Sequence, residues 1–330
     1  MRRLQGVGFF IVLAVLILIE YYAFTAFRFA IRSVRNPYKT YLIIVYILLT
    51  VLWVICLFSF PSLRTADVNK NLRNIIVVFS MGMLLSKLCI ASILLIDDIR
   101  RFVFYVLGLF YTKQTIPLQV QDGMTRSAFL TKLSLLIGGT TFGTILYGMN
   151  NRYNYSMKNI QISFQNLPSA FKGLKIVQIS DIHSGSFTNP IAVKKGLDMI
   201  MQYAPDLILF TGDLVNNQSD EMLPYISVFN QLKAPLGIFS IFGNHDYGDY
   251  VEWESAEAKQ QNLQQLKNIH EQLGWRLLLD EHVILNKQNQ QIALLGVQNI
   301  SAKGFQSYGN LAKAYIGSSS IPFKILLSHD

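Results

Sequence analysis

Residues 175–183 read KIVQISDIH, a short apolar run that ends in an aspartate and a histidine. Three later runs have the same form: residues 206–213 read DLILFTGD, residues 238–246 read IFSIFGNHD, and residues 323–330 read FKILLSHD. Continuous apolar runs of this length are typical of buried strands in layered α/β folds. Ligands of such folds gather beyond the carboxyl ends of the strands. The four runs therefore predict an α/β domain in which carboxylates, an amide and imidazoles form a metal site.

The N-terminal half of the chain is too apolar for a soluble domain. The 330 residues are 51% hydrophobic and only 15% charged, and the apolar excess lies in residues 1–150. Four stretches there approach or exceed the ~20 residues that cross a ~30 Å hydrocarbon core. We therefore predict a membrane domain over residues 1–150 and the α/β domain over residues 151–330. The predicted transmembrane helices are 7–27, 41–60, 75–96 and 129–149.

Two further features of the membrane half need an interpretation. Residues 102–111 are apolar but too short to span, so we predict that they lie at the membrane interface. Glu20 and Lys87 fall within predicted spans. They could form a proton or ion path, or they could be paired and packed, and we favour the paired interpretation.

The net charge of +9 is unevenly distributed. Residues 1–150 carry +10, whereas residues 151–330 carry −1. The basic excess therefore flanks the membrane segments, which argues against nucleic acid as a partner. Loops 28–40 and 97–132 together hold nine Lys and Arg, against seven on the opposite side. The positive-inside rule then places the N-terminus and the α/β domain outside the cytoplasm.

Helical and strand patterns alternate along the α/β domain. A strand is predicted at 160–164, and Asn189 with Pro190 marks a helix start. The helix that starts there is predicted to end near residue 203. Two further helices are predicted at 219–232 and 253–273, and a hairpin is predicted for strands 283–285 and 292–297.

The polar groups at the four strand ends suit a metal centre. Asp181 and His183 follow the first run, and Asp213 follows the second. Asn244 offers a carbonyl oxygen, and His329 offers an imidazole nitrogen. Oxygen and imidazole ligands together suit cations such as Mn, Fe and Zn. Two such ions ~3.5–4 Å apart can stabilise both the attacking and the leaving oxygens of a phosphoryl displacement.

His245 and Asp246 follow Asn244 directly, and we predict that they are catalytic rather than metal ligands. His245 would protonate or stabilise the leaving oxygen of the substrate. Asp246 would orient the His245 imidazole and raise its pKa. For His270 and His282, which lie outside the four runs, a surface or core role is expected.

The ordered motifs resemble those of the calcineurin-like metallophosphoesterase family, and the whole chain resembles a bacterial, membrane-anchored branch with four N-terminal spans. This resemblance implies an αββα sandwich and two divalent metal ions. It implies that Asp181, His183 and Asp213 bind one ion, and that Asp213, Asn244 and His329 bind the other. The family pattern ends with a further Gly-His-x-His motif that these residues lack, so we expect a C-terminally truncated domain in a fragment of a longer protein.

The sequence thus predicts a polytopic protein of a bacterial inner or plasma membrane with an extracytoplasmic, metal-dependent phosphoric ester hydrolase domain. The expected partners are membrane lipid and a phosphomonoester, phosphodiester or pyrophosphate substrate. Because the protein is anchored in a membrane, this substrate could be lipid-linked. Two alternatives stay open: a catalytically degenerate membrane sensor or scaffold, and a nuclease.

Overall fold

The computed structural model describes residues 2–59, 69–110, 126–301 and 306–329. The chain divides into two compact units, Met1–Arg152 and Tyr153–Asp330.

The N-terminal unit consists of long apolar helices in its described part. Segments of all four are long and apolar enough to cross a membrane. Most of their large apolar side chains point outward, as expected where lipid is the solvent. Each predicted span falls on one of these helices, with residue 60 outside the described residues. The helices are α1 (Arg2–Ala30), α2 (Tyr38–Phe58), α3 (Lys70–Phe110) and α4 (Arg126–Asn151).

Helix α3 extends well beyond the span predicted for it. It has 41 residues and is therefore about 60 Å long, roughly twice the hydrocarbon thickness. Residues 102–110, which we predicted to lie at the membrane interface, continue this helix, and Tyr111 lies outside the described residues. The apolar run was too short to predict a span, but no Pro or Gly interrupts the sequence between it and the preceding span.

Glu20 and Lys87 form an ion pair between α1 and α3, with Nζ of Lys87 2.5 Å from Oε2 of Glu20. The hydroxyl of Tyr46 donates to the other oxygen of Glu20 at 2.7 Å. Nζ of Lys87 also donates to Thr50 at 3.1 Å and lies 4.3 Å from the ring of Trp53. The two charges are therefore paired and packed among three helices, as the favoured interpretation predicted.

The C-terminal unit contains two β-sheets. The first sheet has the strand order β1–β2–β3–β4, and its strands are parallel. In the second sheet, β6 pairs antiparallel with β5 and parallel with β7. The strands are β1 (Ile176–Ile179), β2 (Leu207–Phe210), β3 (Ile238–Ser240), β4 (Arg276–Leu277), β5 (Glu281–Lys287), β6 (Gln290–Gly296) and β7 (Lys324–Leu327).

Helices cover the outer faces of the two sheets, which gives the predicted αββα layering. The remaining helices are α5 (Pro190–Gln202), α6 (Ile226–Phe229), α7 (Ala256–Gln272) and α8 (Leu311–Tyr315). Leu209 and Phe239 of the first sheet pack with Leu294 of the second in a buried cluster between the sheets. Phe210, on the opposite face of β2, packs in the core under α5 and α7. Ala293, on the outer face of β6, packs with Ala314 of α8.

Two element predictions in this unit are wrong. Residues 160–164 form no strand, and Ile160 and Ile162 are exposed, because an isolated strand is not stable without a neighbouring strand. The predicted helix 219–232 is instead a 3-10 helix, Ser219–Tyr225, followed by the single turn of α6. Pro224 lies inside this segment, where it removes a helical hydrogen-bond donor.

The other element predictions are confirmed. Helix α5 begins at Pro190, and the side chain of Asn189 accepts a hydrogen bond from the Ala192 backbone N–H. Helix α7 lies within the predicted range 253–273. The predicted hairpin consists of β5 and β6, joined by Gln288 and Asn289 with φ of 50° and 61°. These left-handed residues suit the twist of a two-residue hairpin turn.

Candidate metal centre

The loops after four strands carry the predicted site residues. Asp181 lies two residues beyond β1, and Asp213 lies three beyond β2. Asn244 and His245 follow β3 in the same sheet. His329 follows β7, which belongs to the second sheet. The site therefore combines the carboxyl ends of strands from both sheets.

Left-handed backbone conformations mark three of these residues. The φ values are 54° at Asp181, 46° at His183 and 62° at Asp213. Residues other than glycine rarely adopt φ above zero, and such positions are concentrated at functional sites. The turns after β1 and β2 therefore hold these side chains at a cost in backbone energy.

Glycines before Asp213 and Asn244 allow the two loops to approach each other. Gly212 has φ of 101°, and a Cβ there would lie 2.6 Å from the backbone nitrogen of Gly243. A Cβ at Gly243 would overlap Oδ1 of Asp213. The glycine in each motif is therefore required by this close approach rather than by turn formation alone.

Asp213 lies at the centre of the site and is almost completely buried. Its Oδ2 is 3.4 Å from Nε2 of His183 and 3.5 Å from Nε2 of His329. Its Oδ1 accepts a hydrogen bond of 2.9 Å from the backbone N–H of His245. One carboxylate oxygen thus faces two imidazoles on different loops, as a bridging ligand would.

The chemistry of His329 shows that its surroundings suit a cation. Its Nδ1 is 2.8 Å from the carbonyl oxygen of Thr211. A carbonyl only accepts, so Nδ1 carries a hydrogen and the neutral ring presents a lone pair at Nε2. That lone pair faces Oδ1 of Asn244 at 3.0 Å and Oδ2 of Asp213 at 3.5 Å. Three acceptors that converge in this way need a proton or a metal ion between them.

The pKa values of Asp213 and His329 follow from the contact between these two side chains. Burial disfavours the charge of Asp213, but hydrogen bonds from His329 and His245 outweigh it and hold the pKa of Asp213 below its usual value. The hydrogen bond to Asp213, which outweighs burial, raises the pKa of His329 to about 9. A metal ion that binds here therefore competes with the proton on His329.

Tyr250 is the hydrogen-bond partner of the Asn244 amide nitrogen, and sequence patterns alone did not identify it. The amide Nδ2 of Asn244 donates to the Tyr250 hydroxyl at 2.7 Å. The amide oxygen lies on the opposite side and points to His329, 3.0 Å from its Nε2. The Tyr250 ring also lies against the His245 ring, with centroids 4.5 Å apart.

Asp181 and His183 form the more open side of the site. Their Oδ1 and Nε2 atoms are 3.8 Å apart, and their side chains are 57% and 30% exposed. Among the described residues, two groups of three side chains could each hold a metal ion, because the potential ligand atoms within each group lie within 4.8 Å of one another. Asp213 belongs to both groups. Asp181, Asp213 and His329 form one set, and His183, Asp213 and His245 form the other.

His245 lies at the site, but its partner differs from the one we predicted. Its Nδ1 is 2.7 Å from the backbone carbonyl oxygen of Asn216. The Nδ1 atom therefore carries a hydrogen, which leaves Nε2 for the site. The ring meets that of His183 edge to face, with centroids 4.8 Å apart. Geometry alone permits a ligand role for His245 as well as the catalytic role that we expected.

Asp246 does not orient the imidazole as predicted, because its side chain points into the protein. It is fully buried and accepts hydrogen bonds from four backbone N–H groups. Burial raises the pKa of Asp246 to about 7, whereas the four donors favour its ionised form. Asp246 therefore shapes the loops around the site and does not face a substrate. The four donors belong to Asp213, Leu214, Val215 and Gly243.

The αββα fold and the Asp, His and Asn groups at its sheet edge define a metallophosphoesterase domain. Comparison with known proteins agrees with this class. Residues 174–314 match the family model described as calcineurin-like phosphoesterase. Residues 2–152 match the model described as probable calcineurin-like phosphoesterase, transmembrane domain.

Several curated proteins are similar to parts of the chain. The UDP-2,3-diacylglucosamine pyrophosphatase of Chlamydia trachomatis is 43% identical over 90 residues, which is 26% of this chain and 27% of that protein. A transmembrane protein with metallophosphoesterase domain from Bos taurus is 26% identical over 63% of this chain and 46% of its own length. An uncharacterised metallophosphoesterase of Bacillus subtilis is 25% identical over 61% of this chain and 69% of its own length. The first and second of these are matched over less than half of their length.

Residues 174–314 thus form a calcineurin-like phosphoesterase domain, and residues 2–152 form the transmembrane domain described by the second model, so the chain is a membrane protein. The relatives come from both bacteria and animals, so the bacterial branch stays a prediction.

Proposed function

We propose that the protein is a metal-dependent phosphoric ester hydrolase with a binuclear centre. The observation that supports this proposal is the position of Asp213. One of its carboxylate oxygens faces the Nε2 atoms of both His183 and His329 at 3.4 and 3.5 Å. A carboxylate placed in this way suits a bridge between two divalent cations.

The proposed ligands divide between the two cations around this bridge. Asp181, His183 and Asp213 would bind one ion, and Asp213, Asn244 and His329 would bind the other. Carboxylate, amide and imidazole donors suit Mn, Fe or Zn. When bound, such a pair of ions would lower the pKa of a water molecule and neutralise charge on the phosphate.

The chain's own residues would support the reaction around the ions. His245 has its Nδ1 held by the Asn216 carbonyl, so its Nε2 can hold a proton for the leaving oxygen of the ester. Asp246 is a positioning residue that keeps the Asp213 loop in place through backbone hydrogen bonds. Tyr250 would support Asn244 by accepting a hydrogen bond from its amide nitrogen, while the amide oxygen faces His329.

The proposed substrate is a phosphomonoester, a phosphodiester or a pyrophosphate, and we favour a lipid-linked one. The Chlamydia relative acts on UDP-2,3-diacylglucosamine according to its name, which is a pyrophosphate attached to acyl chains. A domain that is tethered to a membrane by four helices meets such substrates at the lipid surface.

Replacement of the bridging carboxylate tests the proposal. We expect Asp213→Asn to lose about 100-fold or more in Mn²⁺-dependent hydrolysis of p-nitrophenyl or bis-p-nitrophenyl phosphate, because the amide weakens both cation positions. Purified protein in detergent, with metal content measured by mass spectrometry, gives both readouts. Asp198→Asn, an exposed change on α5, is the matched control.

The same assay separates the alternatives. If the wild-type protein and Asp213→Asn were equally inactive across metals and pH, the sensor or scaffold function would replace the enzyme. If the protein hydrolysed DNA in preference to both esters, the nuclease function would replace it.

A further inference from the structure

The loop after β2, residues 213–218, is held by two carboxylates. Asp246 accepts the first three backbone N–H groups of this loop, at 2.9, 2.8 and 3.2 Å. Glu221 accepts the next three, with Oε2 2.6 Å from the nitrogen of Asn216 and Oε1 3.2 Å from those of Asn217 and Gln218. Six consecutive amides are thus bound by two side chains, an arrangement that fixes the backbone throughout the loop.

The half of the loop held by Glu221 controls His245. The amide nitrogen of Asn216 binds Glu221, and the carbonyl oxygen of Asn216 binds Nδ1 of His245 at 2.7 Å. A displacement of the Asn216 peptide groups would therefore move the acceptor that determines where the hydrogen of His245 resides. Asp246 fixes only the preceding three amides, so it cannot replace Glu221 in this function.

Gly185 supplies an independent sign that the position of Glu221 matters. A Cβ at Gly185 would overlap Oε2 of Glu221 and lie 3.1 Å from Cγ of Asn216. The loop that follows His183 thus leaves room for this carboxylate because residue 185 has no side chain.

We propose that Glu221 is a positioning residue for His245, which acts through the backbone of Asn216 and touches no reacting atom. Glu221 holds the Asn216 peptide, the Asn216 carbonyl holds the Nδ1 hydrogen of His245, and Nε2 of His245 is thereby directed to the site. The kinetic part of this inference rests on the proposed hydrolase function, whereas the structural part does not.

The variant Glu221→Gln tests the structural part directly. Glutamine has the same shape, but its NH₂ group cannot accept, so at least one of the three backbone donors loses its partner. Long-range ¹H–¹⁵N NMR spectra of the full chain in detergent, labelled at its five histidines, report the tautomer of each ring. We expect His245 to change from a single Nδ1–H form to a mixture of tautomers, with faster exchange of that hydrogen.

The matched control is Asp220→Asn, which removes the same charge from the neighbouring residue of the same 3-10 helix. Asp220 is exposed and makes none of these three hydrogen bonds. Its His245 signals should equal those of the wild type. If Glu221→Gln also left the His245 signals unchanged, the proposal would be wrong.

A kinetic comparison tests the consequence for catalysis. Loss of a positioned acid slows esters with poor leaving groups most. Glu221→Gln should therefore lower kcat about tenfold or more for an alkyl phosphate and about threefold or less for p-nitrophenyl phosphate, with Mn²⁺ affinity unchanged. An equal loss for both esters would contradict the positioning role. Complete inactivity of the wild type would contradict the proposed hydrolase function and leave the NMR result to decide on Glu221.

Gly185→Ala provides a second variant if Glu221→Gln does not fold. It keeps the carboxylate but displaces it, so the same change at His245 is expected. A normal His245 spectrum in Gly185→Ala would overturn the proposal.

Discussion

Asp213 combines more constraints than any other residue of the site that we have described. It has a left-handed backbone, a nearly buried carboxylate, two imidazoles on one oxygen and a backbone N–H on the other. Every one of these contacts comes from a different segment of the chain. The local sequence Gly212-Asp213 therefore indicates the residue but not its surroundings.

The hydrogen bond between Tyr250 and Asn244 leads to a prediction about metal affinity. We expect Tyr250→Phe to weaken binding of the second Mn²⁺ about tenfold, because the Asn244 amide loses the partner that fixes its orientation. Isothermal titration calorimetry of the purified protein measures this affinity. Tyr203→Phe, a partly exposed position just after α5, serves as the control. Equal Mn²⁺ affinity in Tyr250→Phe and the wild type would show that the amide needs no such support.

At the scale of elements, the strand runs predicted most of the fold. Each of the four runs contains a strand, and each is followed by its predicted site residue, because both signals are local: an apolar run and the polar group at its end. The second sheet was harder to predict from the sequence, because the position of β7 beside β6 depends on pairing between distant residues. Pairing also explains the wrong prediction at 160–164, where the pattern was right but a neighbouring strand was missing from the described structure.

The residues of the site also divide into those that the local sequence identifies and those that it does not. Local sequence predicts six residues, because their own side chains have the groups of a metal or catalytic site: Asp181, His183, Asp213, Asn244, His245 and His329. Glu221 and Tyr250 were missed because they act on another residue's backbone or amide. Gln218 and Glu221 have the spacing of a helix capping box, but glutamine is not a usual first residue of that motif.

The ion pair of the membrane helices gives a prediction for packing between elements. Glu20→Gln leaves the Lys87 charge buried without its partner, and we expect a loss of several degrees in the thermal unfolding midpoint in detergent. Breaking a buried pair costs about 3–5 kcal/mol in soluble proteins. The double variant Glu20→Lys, Lys87→Glu should recover part of that loss. Equal midpoints for the wild type and Glu20→Gln would show that the pair does not stabilise the bundle.

At the scale of the whole molecule, His270 couples the stability of the catalytic unit to pH. It is fully buried among Phe210, Phe242 and Trp275, and Ser240 is its hydrogen-bond partner. Burial lowers its pKa to about 3, against about 6.5 in an unfolded chain. Between these values the unfolded state binds a proton that the folded state does not, so stability falls as the pH drops below about 6.5.

We expect His270→Gln to reduce this acid sensitivity. The wild type should lose about 1 kcal/mol of its free energy of unfolding for each pH unit below 6.5 through this residue, and the variant should not. Unfolding midpoints at pH 7.5, 6 and 5 measure the difference, with His282→Gln as the matched control. Parallel pH profiles for His270→Gln and the wild type would exclude His270 as the cause.

The orientation of the protein in the membrane is a second property of the whole molecule. The distribution of Lys and Arg supports the proposal that the catalytic domain lies outside the cytoplasm. In a variant without Cys56 and Cys89, the cysteine of Asp220→Cys should react with a membrane-impermeant maleimide in intact cells. The cysteine of Asn36→Cys, between α1 and α2, should not react. The reverse labelling pattern would place the catalytic domain in the cytoplasm.

The left-handed backbone at Asp181, His183 and Asp213 has a consequence for selection. Glycine fits such conformations without steric cost, and natural proteins accept strain where function requires it. A library of variants screened only for heat resistance would therefore favour glycine at these three positions. The surviving variants would lack the side chains that we propose as metal ligands. Selection for a robust fold and selection for activity would thus prefer different residues at the same positions.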